Sequence, residues 1–124
     1  MTRRRDADRG QATIEFALCL PLVLIVVLTM TQLVIVGLQK VRLVHTAREA
    51  ARSAAISGDP VAAAQRVVTS LGTTDVEIIT TVDDRWVTVR LHQTSVTDLP
   101  LVGPFLPDVD LDEEVTMLRE PPLG

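Results

Sequence analysis

Phe16–Leu38 reads FALCLPLVLIVVLTMTQLVIVGL, twenty-three residues without a charge, and this run constrains the chain more than any other feature. At ~1.5 Å rise per residue it is long enough to cross a hydrocarbon core of ~30 Å. It is too long for the apolar region of a signal peptide, and no small-x-small cleavage site follows it. The expectation is a single transmembrane helix. Between Gly10 and Gln39 the sole charge is Glu15, at the mouth of the run. A carboxylate is costly at mid-bilayer and tolerable at the edge. Its spacing from Arg9-Gly10 also matters: a cut after Gly10 would make Glu15 the fifth residue from the new amine.

The rest of the 124 residues can build one small domain. Charge is divided unevenly. Residues 1–57 hold eight Lys/Arg and four Asp/Glu, a net of +4; residues 58–124 hold four Arg and twelve Asp/Glu, a net of −8. An acidic C-terminal part argues against nucleic acid as a partner, because phosphate binding needs clustered basic groups. A single Lys with no Asn and no Tyr suggests a GC-rich bacterial source. Arg3, Arg4, Arg5 and Arg9 precede the apolar run, and Lys40, Arg42, Arg48 and Arg52 follow it. The positive-inside count is therefore nearly tied, and the compact Arg cluster favours the N-terminus inside. Cys19 is the lone cysteine, so the chain forms no internal disulfide. Leu18 before it speaks against a lipoprotein site, and the thiol reads as apolar surface.

Met1–Gly10 is polar and basic and reads as a disordered leader. The helical pattern starts at Gln11, with Thr13 as a possible cap. Pro21 removes a backbone donor and is expected to kink or unwind the helix. Thr29, Thr31 and Gln32 form a mildly polar patch that should bond back to the helix or to a partner helix. Past the apolar run, Val41, Val44, Ala47, Ala51, Ala54 and Ala55 recur at helical spacing, an amphipathic continuation with a small-residue face. Gly58 is its expected C-cap. Asp59-Pro60 signals a second helix with Val61, Ala64, Val67, Val68 and Leu71 on one face, closed by Gly72. The period then changes to two. Val76–Val82 and Trp86–Leu91 alternate around Asp83-Asp84, which reads as a β-hairpin. A Pro/Gly-rich loop, LPLVGPFLPD, leads to a third strand over Glu114–Arg119. The fold class is α+β: a long N-terminal helix, a short helix, then a small antiparallel sheet of about three strands, which a lone hairpin in water requires.

Arg9-Gly10-Gln11-Ala12-Thr13-Ile14-Glu15-Phe16-Ala17 with Leu20-Pro21-Leu22 resembles the N-terminal signature of TadE-like proteins, pilin-like components of the tight-adherence (Tad, Flp) pilus system. Thr46–Ala55 (TAREAARSAA) is similar to the second block of that family, and Arg119-Glu120 after a strand is in keeping with it. The resemblance covers residues 9–57 well and the remainder loosely. It implies a pilin-like fold and a bacterial secretion or pilus assembly role. It also implies cleavage by a prepilin peptidase between Gly10 and Gln11, with assembly through Glu15, Phe16 and Pro21. The implied organisation is a cytoplasmic leader (1–10), a transmembrane helix (11–38), its amphipathic continuation (39–57) and a small acidic extracytoplasmic domain (58–124). The implied partners are the membrane, the peptidase, other pilin-like subunits and Tad inner-membrane platform proteins, and no cofactor is implied. The major pilin pattern has Tyr after the Glu and almost no globular part. Here Phe16 stands in that place and residues 58–124 follow, which points to a minor pilin or pseudopilin. The rival is an uncleaved bitopic anchor or scaffold of the same machinery.

An enzyme is not expected. His45 and His92 have no nucleophile or phosphate-binding loop beside them in sequence, and both read as surface residues. Asp108, Asp110 and Asp112 with Glu113 and Glu114 resemble the start of a calcium loop, but the turn glycine is missing and the twelfth position is Arg119. The plainer reading is a solvated acidic loop that discourages edge-to-edge strand pairing.

Overall fold

The structure, a computed structural model, describes residues 3–73, 75–97 and 103–120. The elements in chain order are α1 (Arg3–Ala55), α2 (Pro60–Ser70), β1 (Val76–Val82), β2 (Trp86–Ser95) and β3 (Val109–Leu118), with a 3-10 turn at Gly103–Phe105. The three strands form one antiparallel sheet in the order β1-β2-β3. This is the expected α+β class. Residues 98–102, which fall in the Pro/Gly-rich loop read from the sequence, lie outside the described residues.

α1 is a single helix of 53 residues, ~80 Å long. It begins at Arg3 rather than Gln11, so Arg3–Gly10 is helical where a disordered leader was expected, and Thr13 lies inside the helix rather than at its cap. Arg3–Arg9 contains no proline or β-branched residue, so extending an existing helix backward costs little beyond the ~1 kcal/mol of Gly10. The helix is also continuous across Pro21, with no unwound segment there. Of the polar patch, the two threonines bond back to the helix, while Gln32 reaches Thr97 after β2 rather than the helix backbone or a partner helix. Thr29 Oγ1 donates to the Ile25 carbonyl at 2.8 Å and Thr31 Oγ1 to the Val27 carbonyl at 2.9 Å.

The core lies between the C-terminal half of α1, α2 and one face of the sheet. It comprises Leu43, Ala47, Ala50, Ala51 and Ala54 of α1, Ala64 and Val68 of α2, Val87, Val89 and Leu91 of β2, and Leu111 of β3. The alternation read for β2 holds. The helical stripe holds at Ala47, Ala51, Ala54 and Ala55, all buried, and departs at its start: Leu43 is fully buried, Val44 is half-buried and Val41 is 54% exposed. Residues 43, 47, 50 and 54 follow the 4-3-4 spacing of one helix face, and Val41 lies off that line. On α2 the buried side is Pro60, Ala63, Ala64 and Val68, while Val61 and Leu71 are exposed.

Three contacts fix how the sheet lies along α1. Gln32 Nε2 donates to Thr97 Oγ1 at 3.3 Å. Lys40 Nζ pairs with Glu113 Oε2 at 3.0 Å and donates to the Asp112 carbonyl. Glu120 N–H donates to the Ala55 carbonyl at 3.0 Å. From Gln32 to Lys40 the helix advances ~12 Å, and from Asp108, which binds the Thr97 amide, to Asp112 a strand advances ~13 Å. From Lys40 to Ala55 and from Glu113 to Glu120 the advances are ~22 and ~23 Å. β3 therefore runs alongside α1 in the same direction, and the domain is clamped to the helix from residue 32 to residue 55.

The connections follow their local chemistry. Asp59 caps α2 by accepting the Ala62 N–H at 3.2 Å, with Pro60 in the first turn. Gly72 follows α2 with φ +64, the left-handed conformation that glycine adopts without a Cβ penalty. Gly58 does not play this role. α1 ends at Ala55, and among the described residues Gly72 is the glycine with positive φ. In the hairpin Asp83 and Trp86 pair through their backbones at 2.8 and 3.3 Å, so the turn residues are Asp84-Arg85, one step beyond the expected Asp83-Asp84.

Because α1 meets α2 and the sheet through alanines, added bulk there has no room. Ala47→Leu is expected to destabilise the protein by ~1–3 kcal/mol, whereas Val41→Leu should stay within ~0.5 kcal/mol. Denaturant unfolding of the detergent-solubilised protein, followed through Trp86 fluorescence, measures both.

Candidate functional site

The residues singled out from the sequence sit together at the N-terminal end of α1, far from the domain. Gly10 is exposed in the helix, and a Cβ built on it meets nothing within 4 Å. Its value there is backbone freedom: glycine costs a helix ~1 kcal/mol relative to alanine and so marks the cheapest point to unwind. Gln11 Nε2 donates to Glu15 Oε1 at 3.2 Å across one helical turn. Glu15 is thus already engaged within its own chain through one oxygen. Phe16 is 70% exposed, and Pro21 is exposed on the same apolar stretch. None of these residues touches the sheet. Ile14, Phe16, Leu18, Leu20 and Leu22 through Val27 all present apolar surface outward. Among the described residues, one helix is long and apolar enough to cross a membrane. Cys19 is exposed on it as a free thiol.

A second constellation was not read from the sequence. On the outward face of the sheet, β2 and β3 align four polar pairs in register. Thr88 Oγ1 meets Thr116 Oγ1 at 2.8 Å, and Arg90 Nε donates to Glu114 Oε2 at 2.8 Å. His92 Nδ1 meets Asp112 Oδ1 at 2.8 Å, and Thr94 Oγ1 donates to Asp110 Oδ1 at 2.9 Å. The sequence signal was present, because Arg90, His92 and Thr94 recur with period two and so do Asp110, Asp112 and Glu114. It was missed because the third strand was expected only from Glu114. Val109, Leu111 and Val115 alternate inward and extend β3 back to Val109. The acidic loop is therefore mostly strand. Its carboxylates are sent to different partners: Asp108 to the Thr97 amide, Asp110 to Thr94, Asp112 to His92, Glu113 to Lys40 and Glu114 to Arg90. Among the described residues no three His, Cys, Asp or Glu side chains converge as a metal site.

The hydrogen bond to Asp112 lifts the His92 pKa above its ordinary 6.5, with the charges of Asp112, Asp110 and Glu77 adding in the same direction and partial burial opposing. The Arg90 guanidinium is likewise lifted, first by its hydrogen bond to Glu114. His45 is exposed and lines an open cleft of about 420 Å³ with Gln39, Arg42, Thr46, Gly72 and Gln93.

Comparison with known proteins supports the N-terminal segment. Residues 10–52 match the family of TadE-like proteins. That region takes in the first block except Arg9 and Thr46–Arg52 of the second, and stops short of α2 and the sheet. No curated protein and no solved structure matches the chain.

The His92 rung makes stability depend on pH with a defined sign. A histidine whose folded pKa exceeds its unfolded value stabilises fully below the unfolded value and loses that stabilisation as pH rises through the folded one. The melting temperature should therefore fall as pH rises from about 6.5 through the raised value. Asp112→Asn should remove this slope and return the His92 titration, followed by NMR of the ring protons, toward 6.5.

Proposed function

We propose, from the TadE-like character of residues 10–52, that this protein is a minor pilin or pseudopilin of a Tad-type pilus or secretion system. In this reading a prepilin peptidase cuts after Gly10 on the cytoplasmic side, and the mature protein assembles through α1. The observation that carries it is the division of α1. From Phe16 to Thr31 the helix is uncharged, exposes apolar side chains around it and is unattached to the domain; from Gln32 on it is clamped by α2 and the sheet. A helix left bare in this way suits lateral packing against other helices. The domain that follows Ser57 is larger than a minimal major subunit carries.

Glu15 supplies the register in this scheme. After cleavage the new α-amine lies at Gln11, and a neighbouring subunit's amine can replace the Gln11 amide that now engages Glu15. Such a pair contributes little at a wet surface. Inside a dry helical bundle, leaving the carboxylate without its partner costs ~3–5 kcal/mol. The pair would thus reject misplaced subunits more than it would stabilise correct ones.

The second reading, an uncleaved single-pass anchor or scaffold of the same machinery, is favoured by one observation. α1 runs unbroken from Arg3 through Gly10, so the Gly10–Gln11 bond lies within helix and must unwind before a protease can hold it.

Intact mass of the protein from native membranes separates the two readings: the pilin reading expects loss of Met1–Gly10, and the anchor reading expects the full chain. Glu15→Ala should insert normally yet be absent from sheared filaments. Recovery of that variant in filaments at the wild-type level would remove the assembly role.

A further inference from the structure

We propose that the floor of the small domain is itself a lipid-binding surface, with Val96, Thr97 and Leu106 resting in the headgroup–acyl boundary of the bilayer that α1 crosses. The proposal rests on reading Phe16–Leu38 as the bilayer-spanning run.

The argument begins with where the domain grips the helix. Gln32 is 9% exposed and holds Thr97, the second residue after β2. It lies within the apolar run, six residues before Leu38, which is ~9 Å along the axis. Around the sides of α1 that the domain leaves bare, Leu33, Val34, Ile35, Leu38 and Val41 all remain exposed. A bilayer ending below Gln32 would leave those five side chains in water. It would also leave Phe16–Thr31, ~24 Å of helix, to cross a core of ~30 Å. Lowering the whole chain to compensate would draw Glu15 and Gln11 into hydrocarbon, where a carboxylate is disfavoured. A ~30 Å core counted from Phe16 ends near Ile35: it covers Leu33, Val34 and Ile35, leaves Leu38 at headgroup level, and immerses the domain floor by ~5 Å, within the ~5–10 Å depth at which interfacial segments bind.

The floor is built for that position. Val96 is 67% exposed, Leu106 is half-buried, and Pro104 and Pro107 are exposed. Gln32 and Thr97, the polar side chains at its centre, are bonded inside the protein, as lipid contact demands. Gln32 Nε2 donates to Thr97 Oγ1, Thr97 Oγ1 donates to the Pro107 carbonyl at 3.2 Å, and the Thr97 N–H donates to Asp108 Oδ1 at 2.9 Å. The first cation above the floor, Lys40, lies ~12 Å farther along α1, at the level where headgroups give way to water.

The single tryptophan, Trp86, begins β2 at the opposite end of the sheet and serves as the reference. The full chain is reconstituted into phosphatidylcholine vesicles containing lipids brominated at shallow or deep acyl positions. Three forms are compared: the wild type, Val96→Trp with Trp86→Phe, and Leu24→Trp with Trp86→Phe. The expected result is blue-shifted emission from position 96, quenched several-fold more by shallow than by deep bromine. Position 24 should be quenched best by deep bromine, and Trp86 by neither. Water-like, unquenched emission at position 96 with position 24 quenched would overturn the proposal and leave the span intact. Blue-shifted but unquenched emission at position 96 would also overturn it, by assigning the cover to protein. Absence of quenching at both introduced positions would overturn the spanning run and the proposal with it.

Discussion

The small domain has no core of its own, and everything else in the structure follows from that shortage. Of its most deeply buried apolar side chains, the sheet supplies Val87, Val89, Leu91 and Leu111, and α2 adds mainly Ala63, Ala64 and Val68. The other half of the core is the alanine face of α1 with Leu43. Small side chains let the two helices and the sheet approach closely, so dispersion contacts replace bulk. The long helix is therefore two objects in one. Its C-terminal half is an internal element of the domain, and its N-terminal half is a bare apolar rod.

The clamp between Gln32 and Ala55 separates these halves mechanically. Gly10 lies 22 residues before Gln32, ~33 Å along the helix, so a cut there removes nothing the domain packs on. The two ends of α1 are thus structurally independent: the N-terminal end carries no domain contact, and the C-terminal end carries them all. The same clamp decides how much of the apolar run is left bare on all sides.

Electrostatics follow the pleat. Four of the twelve acidic residues of the C-terminal half lie along β3, where like charges in a loop would repel. The strand's two-residue period sends Asp110, Asp112 and Glu114 to the outer face, each beside its partner on β2, and turns Glu113 inward to Lys40 of α1. The same acidic charge thus helps set strand register and helix alignment.

Much of this was legible in the chain. The apolar run, the Asp59-Pro60 start and Gly72 stop of α2, and the inward Val87-Val89-Leu91 alternation depend on local spacing and backbone chemistry, which a sequence displays directly. The TadE-like blocks at residues 10–52 were legible for the same reason, as short motifs on a continuous helix. Other features depended on partners distant in the chain. Leu43 rather than Val41 faces inward because the sheet approaches α1 from that side. β3 starts at Val109 because β2 is long enough to pair with it. Gln32 is buried because Thr97, sixty-five residues later, arrives beside it. Sequence by itself determined which segments could be helix, strand or membrane span, since those follow from hydrophobic period and caps. Only tertiary structure decided where the domain grips the helix, because that is set by matching the ~1.5 Å rise of α1 to the ~3.3 Å rise of β3, a correspondence that no single segment contains.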